Sequence, residues 1–188
     1  MTNKIEKIVS KDYDQSHFGI LGNNYIKICI LILDFIKMGG LRDFQKRQLL
    51  FPLMYNFRHA AELFLKSILL RAGIEFNYTH DLDELLAAHS QTLERFFKNL
   101  ACPHSCKKRF DNFVTEIKLI SNCKFAGKKI INEKDVKNEF FRFPHKKHQE
   151  EFTNLIKVNF NELRKQIEQL HKSFLFLSTS ISMSVGYI

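Results

Sequence analysis

Tyr55-Asn56-Phe57-Arg58-His59-Ala60-Ala61-Glu62-Leu63-Phe64-Leu65-Lys66 sets charged side chains into what is otherwise the pattern of a buried helix. At about 100° per residue, Leu50, Met54, Phe57, Ala61, Phe64 and Ile68 advance in steps of four and three along one face, which makes it a core face. Leu53, Leu63 and Leu70 form a second apolar side, so the helix should have neighbours in more than one direction. Arg58, Glu62, Tyr55, Lys66 and His59 follow one another around about 100° of the remaining surface. Charge beside so much apolar surface survives only when paired. Glu62 stands one turn from both Arg58 and Lys66 and can pair with either. One reading is thus a structural ion-pair network of Tyr55, Glu62 and the flanking cations. The other makes Arg58 and Lys66 phosphate donors and His59 a proton carrier, since imidazole titrates near neutrality.

Working outward, the pattern is helical along most of the chain. Strand-like alternation is scarce, and only three prolines and seven glycines interrupt 188 residues. The class is all-α, and with no linker-like stretch the chain reads as one domain, 1–188. Residues 1–16 lack a sustained apolar period and are expected to fray. A first helix is expected from about Phe18 to Met38, stopped by Gly39-Gly40. A second runs from about Leu41 to Ala72, with Pro52 marking a kink or a start. A third follows from Thr79 or Asp81 to about Ala101, and Pro103 opens a fourth to about Cys123. A long C-terminal helix is expected from about Gln149 to Met183. There Ile156, Phe160, Leu163, Ile167, Leu170, Phe174, Leu177 and Ile181 form a seam for a long partner helix.

Between these helices, residues 124–148 lose the period and turn basic. Lysine or arginine stands at 124, 128, 129, 134, 137, 142, 146 and 147, against acids at 133, 135 and 139. This segment is expected to be a surface loop. The whole chain carries a formal charge of +9, which suits a polyanionic partner such as nucleic acid and also serves solubility. Lys107, Lys108, Arg109, Lys128, Lys129, Lys146 and Lys147 are candidate RNA contacts, with Phe125, Phe140, Phe141 and Phe143 available for base stacking. Tyr25 to Met38 is apolar but short for a membrane span and carries Lys27, Asp34 and Lys37, so no membrane is expected. The charged start, Met1 to Lys11, has no signal-like apolar core, which suggests a cytoplasmic protein with reduced cysteines. Cys102, His104, Cys106 and Cys123 do not follow a standard zinc spacing, and no metal or cofactor is expected.

Three motifs together resemble HEPN-type domains. Arg58-His59-Ala60-Ala61-Glu62 on a helix is followed, after a loop, by His80-Asp81-Leu82 opening the next one. Phe140-Phe141-Arg142-Phe143-Pro144 is similar to a Phe-Arg-Tyr-Pro segment that precedes the last helix in some of these proteins. The resemblance spans roughly residues 45–185. It implies an antiparallel bundle of four to five helices and a homodimer. It also implies RNA or nucleotide-related work, often in bacterial toxin–antitoxin or antiviral systems with an antitoxin or defence protein as partner.

Active HEPN ribonucleases carry Arg-x4-6-His and cleave RNA without metal, through the RNA's own 2'-hydroxyl. By that resemblance Arg142 and His148 are catalytic candidates, with Arg142 stabilising the phosphorane and His148 acting as acid or base. Arg142 is followed by Phe143-Pro144 where the family has a polar residue. Arg58-His59 has the polar follower and lacks the distal histidine. Arg58, His59, Arg142 and His148 therefore all stand as catalytic candidates. Lys66 and His80 stand as RNA contacts, and Asp81 either as a helix start or, with His80, as a contact to the Arg58 strip across the loop. A non-catalytic interaction module, or a scaffold dimerised by the last helix, are the other readings.

Overall fold

The computed structural model describes residues 15–76, 79–99, 103–126, 128–129 and 158–185. Among them are five helices and one short hairpin. The helices are α1 (Gln15–Lys37), α2 (Asp43–Arg71), α3 (Leu82–Lys98), α4 (Pro103–Ser121) and α5 (Phe160–Val185). Strands β1 (Lys124–Phe125) and β2 (Lys128–Lys129) pair antiparallel.

Helix α2 is the axis of the bundle, as its two apolar sides require. On it Leu50, Leu53, Met54, Phe57, Ala61, Phe64, Leu65 and Ile68 are all buried. Pro52 neither starts nor breaks α2: the helix continues through it, and its ring faces solvent. The far end closes as a Schellman turn. Gly73 takes φ +69, its N–H reaches Leu70 O, and Ile74 N–H reaches Leu69 O at 2.9 Å. The left-handed residue satisfies two otherwise orphaned carbonyls and turns the chain back along α2.

Helix α5 runs antiparallel to α1 and alongside α2. Arg164 pairs with Asp34 near one end of α1, His171 Nε2 lies 2.9 Å from Asn23 Oδ1, and Arg71 donates to Ser182 Oγ. It starts at Phe160, where Asn159 Oδ1 accepts from the N–H groups of Asn161 and Glu162, later than the expected start near Gln149. Of its seam, Leu163, Ile167, Leu170, Phe174, Leu177 and Ile181 are buried inside the bundle and Phe160 is half-buried, while Ile156 lies outside the described residues. That removes the reading in which this seam dimerises the chain.

Helices α1 and α2 approach closely where glycine allows it. A Cβ added at Gly22 would lie 2.6 Å from the Phe64 ring, which is itself stacked on Phe174 at a centroid distance of 3.9 Å. The ring has no room to retreat. Gly22→Ala is accordingly expected to cost about 1–3 kcal/mol by overpacking, even though alanine favours the helix by roughly 1 kcal/mol. Urea unfolding of the two proteins measures it. An unchanged or raised midpoint would show that α1 can shift.

The hairpin fixes the start of the basic segment. Phe125 is buried against Phe57 at 6.1 Å between centroids, so it is core and not a stacking platform for bases. Gln166 of α5 grips the hairpin backbone, accepting from Ala126 N–H at 3.0 Å and donating to Lys124 O at 3.3 Å. Behind it Glu116 hydrogen-bonds to the same glutamine, and burial pushes its carboxyl above the ordinary range.

Candidate functional site

The five polar groups of the α2 strip divide between two tasks. Arg58 is only 2 % exposed, and its guanidinium donates to Ile120 O at 3.3 Å and Ser121 O at 3.4 Å. These carbonyls belong to the last turn of α4, which carries the negative end of the helix dipole; Ile120 O also accepts the Cys123 N–H at 3.0 Å. Arg58 is therefore a cap on α4, and its expected roles as catalytic residue and phosphate donor are corrected: no phosphate reaches it here.

Lys66 is 1 % exposed and donates from Nζ to Glu62 Oε1 at 2.6 Å. Its expected role as an RNA contact is corrected on the same ground. Of the two cations available to it, Glu62 takes Lys66, while Arg58 turns to the backbone of α4.

Around Glu62 stand two histidines. His80 Nδ1 lies 2.9 Å from Oε1, and His59 Nδ1 lies 3.6 Å from Oε2. The first arrives because Asp81 caps α3: its Oδ1 accepts from Asp83 N–H at 2.8 Å and Glu84 N–H at 3.3 Å, and Thr79 Oγ1 accepts the Asp81 N–H. That knot orients the loop that Gly73 has turned back, and His80 falls beside Glu62. Asp81 thus acts through the backbone. His59 is held by aromatic neighbours, with Tyr55 stacked at 5.9 Å and 11° and Tyr25 of α1 edge-on at 4.7 Å.

Burial alone would raise the Glu62 carboxyl. His59, Lys66 and His80 outweigh it and hold the group down at about 2. A carboxylate at that position is ionised at any physiological pH. At hydrogen-bond distance from His80 Nδ1, it favours the tautomer with the proton on that nitrogen and leaves Nε2 on the opposite side of the ring, while His59 Nδ1 stands at ion-pair distance. His80 is half exposed and His59 is 23 % exposed by side chain, so both can be approached from solvent. An imidazole oriented by a buried carboxylate is the arrangement that general acid–base catalysis uses.

The remaining candidates lie elsewhere. Lys107, Lys108 and Arg109 are exposed on the first half of α4, and the Arg109 guanidinium sits 5.7 Å from the centre of the Phe176 ring. Lys128 is exposed on the hairpin, and Lys129 pairs there with Lys124 through the backbone. Arg142, His148, Lys146, Lys147 and the Phe140–Pro144 motif fall outside the described residues, as does Cys102. Among the described residues no three histidine, cysteine or acidic side chains gather as a metal would require.

Sequence reasoning missed Tyr25, which lies on a different helix from every motif. It also missed the Ile120 and Ser121 carbonyls, because backbone acceptors leave no trace in side-chain identity. Against known protein families, residues 49–122 match the HEPN domain, a span that takes in most of α2 with α3 and α4 and both histidines of the cluster. Searches of curated proteins and of solved structures found no match to the chain.

Proposed function

We propose that the chain is a HEPN-type protein, a reading supported by the match of residues 49–122 to the HEPN domain. On that reading it is an RNA-related or nucleotide-binding module. The finer reading is metal-independent cleavage of RNA, with the histidines on Glu62 as the acid–base centre. One observation carries it: His59 and His80, from separate elements, meet the same buried carboxylate within 3.6 Å and 2.9 Å.

In the reaction, one imidazole removes the proton from a ribose 2'-hydroxyl. The oxygen attacks the adjacent phosphorus, and the bond to the 5'-oxygen breaks as a second acid protonates it. The products are a 2',3'-cyclic phosphate and a free 5'-hydroxyl. Because Arg58 and Lys66 are buried, the charge on the phosphorane has to be met by other cations. Arg142 is the assignment that the family resemblance supplies, with His148 as a further acid or base. An effector or accessory role in bacterial antiphage defence or a toxin–antitoxin pair, with an antitoxin or defence protein as partner, is part of this reading.

The test is cleavage of single-stranded RNA by homogeneous protein in excess chelator, comparing wild type with His59→Ala, Arg142→Ala and His148→Ala. Cleavage that survives the chelator and falls about 100-fold or more in His59→Ala supports the reading. Undiminished cleavage in all three variants defeats the site assignment.

The burial of Arg58 and Lys66 favours a second reading, in which the strip is structural and the exposed basic residues bind RNA without breaking it. It expects binding that weakens steeply with salt and no turnover. RNA cleavage by the same preparation counts against it.

A further inference from the structure

We propose that the cleft where α1 ends and α2 and α5 begin is a binding site for a small aliphatic carboxylate, one anionic head on an apolar chain. The proposal stands apart from the RNA reading, because no residue of the Glu62 cluster takes part. The cleft holds about 370 Å³, within the size range of small-molecule sites. Every residue that lines it lies outside 49–122, so the domain match does not account for it.

Three helix ends meet there. Helix α1 stops at Lys37, the chain turns through Gly39 and Gly40 at φ +87 and +80, and α2 starts at Asp43. The start of α5 is tied beside them by the pairing of Arg164 with Asp34. A gap remains because none of the three helices has a further turn whose side chains could fill it. Its floor is aliphatic: Leu33, Ile36 and Val158 are buried, and the half-buried Phe160 supplies one ring.

Lys37, Lys46 and Arg164 also line the cleft, and among the described residues no acidic side chain does. The three differ in what they already hold. Arg164 is shared between Asp34 and Glu168. Lys46 has Asp43 at 3.7 Å, a solvent-exposed pair of little strength. Lys37 pairs with no acid among the described residues. The N–H groups of Asn161 and Glu162 are met by Asn159, so the start of α5 is not what holds the head. With Arg164 spent and Lys46 partly so, little more than one positive charge is left, which suits a carboxylate better than a doubly charged phosphate.

The floor decides the rest of the ligand. A free inorganic anion would leave it wet, whereas each methylene laid on it gains roughly fourfold in affinity. A nucleotide base asks for donors and acceptors along its edge. The uncharged polar side chains on the cleft are Asn159 and Asn161, and the first already spends its Oδ1 on the helix cap. A chain with one charged end matches both kinds of wall.

The test is a titration of the full chain with decanoate, followed residue by residue in heteronuclear NMR spectra. Saturable shifts at Leu33, Ile36, Val158 and Phe160 are expected, with half-saturation at about 1 mM or below. Decanol, which lacks the charge, and butanoate, which lacks most of the chain, are each expected to bind at least about tenfold more weakly. Lys37→Glu with Lys46→Glu should weaken decanoate binding by about tenfold or more, and Lys37→Gln with Lys46→Gln should weaken it in the same direction. Helical circular dichroism should be unchanged in both, because neither side chain is in the core. Lys27→Glu, on α1 outside the cleft, should bind as wild type does. The proposal is overturned by the absence of saturable shifts, by shifts centred on other residues, by decanol bound as tightly as decanoate, or by undiminished binding in both double variants. It is also overturned if adenosine monophosphate binds the same residues more tightly than decanoate.

Discussion

Replacing Glu62 by alanine is expected to lower the unfolding free energy by about 3–5 kcal/mol, because it takes the carboxylate away from a buried ammonium. Lys66 Nζ is 2.6 Å from Glu62 Oε1 and nearly inaccessible to water. For a chain of this size such a loss moves the thermal midpoint by roughly 6–20 °C. Lys66→Met should cost less, since it removes the charge and keeps an apolar stem of similar volume. The double variant Glu62→Ala with Lys66→Met should be less damaged than the two single changes added together, with a coupling of about 2–3 kcal/mol. Additive losses would show that the pair does not act as one unit.

The same pair predicts the response to acid. Folding lowers the Glu62 pKa from the ordinary 4.5 to about 2, so over that range the unfolded chain binds more protons there than the native state. The contribution is complete above about pH 4.5 and is lost as the pH falls towards 2. In Glu62→Gln that part of the acid slope should vanish. Urea unfolding at several pH values separates the two profiles.

The fold was legible where one residue type serves one purpose. Gly39-Gly40, Gly73 and Pro103 mark helix ends by backbone constraint alone, and the all-α class, the first four helices and the seam of the last followed from periodicity and punctuation. Pro52 misled because an interior proline costs a helix one hydrogen bond, a loss that packing along both sides of α2 outweighs. The start of α5 misled because a seven-residue pattern says which residues align and not where the helix begins; Asn159 decides that. The site was legible as a strip of charge, and its division was not. Spacing on one helix left Glu62 free to pair with Arg58 or Lys66. The choice was made by α4, whose terminal carbonyls draw Arg58 away. Likewise the seam of the last helix, read as packing along a long partner helix, finds its partners inside the bundle.

If the cluster on Glu62 is an acid–base centre, His59→Ala and His80→Ala are each expected to lower RNA cleavage by about 10²–10⁴-fold. Neither should change the fold, because the two rings are partly exposed and the Lys66–Glu62 pair remains. The double variant should be little worse than either single one, since groups that act in one proton-transfer unit lose their effect together. Arg58→Met makes the contrast. Its hydrogen bonds go to Ile120 and Ser121 carbonyls, so its first effect should be on stability, by about 2–4 kcal/mol for a buried charge-assisted cap left unmade. Single-turnover rates with circular dichroism on the same samples separate these outcomes. Independent multiplicative losses at His59 and His80 would mean that each contacts RNA on its own. A rate unaffected by either change would make the cluster a structural clasp and move the search for the catalytic groups to Arg142 and His148.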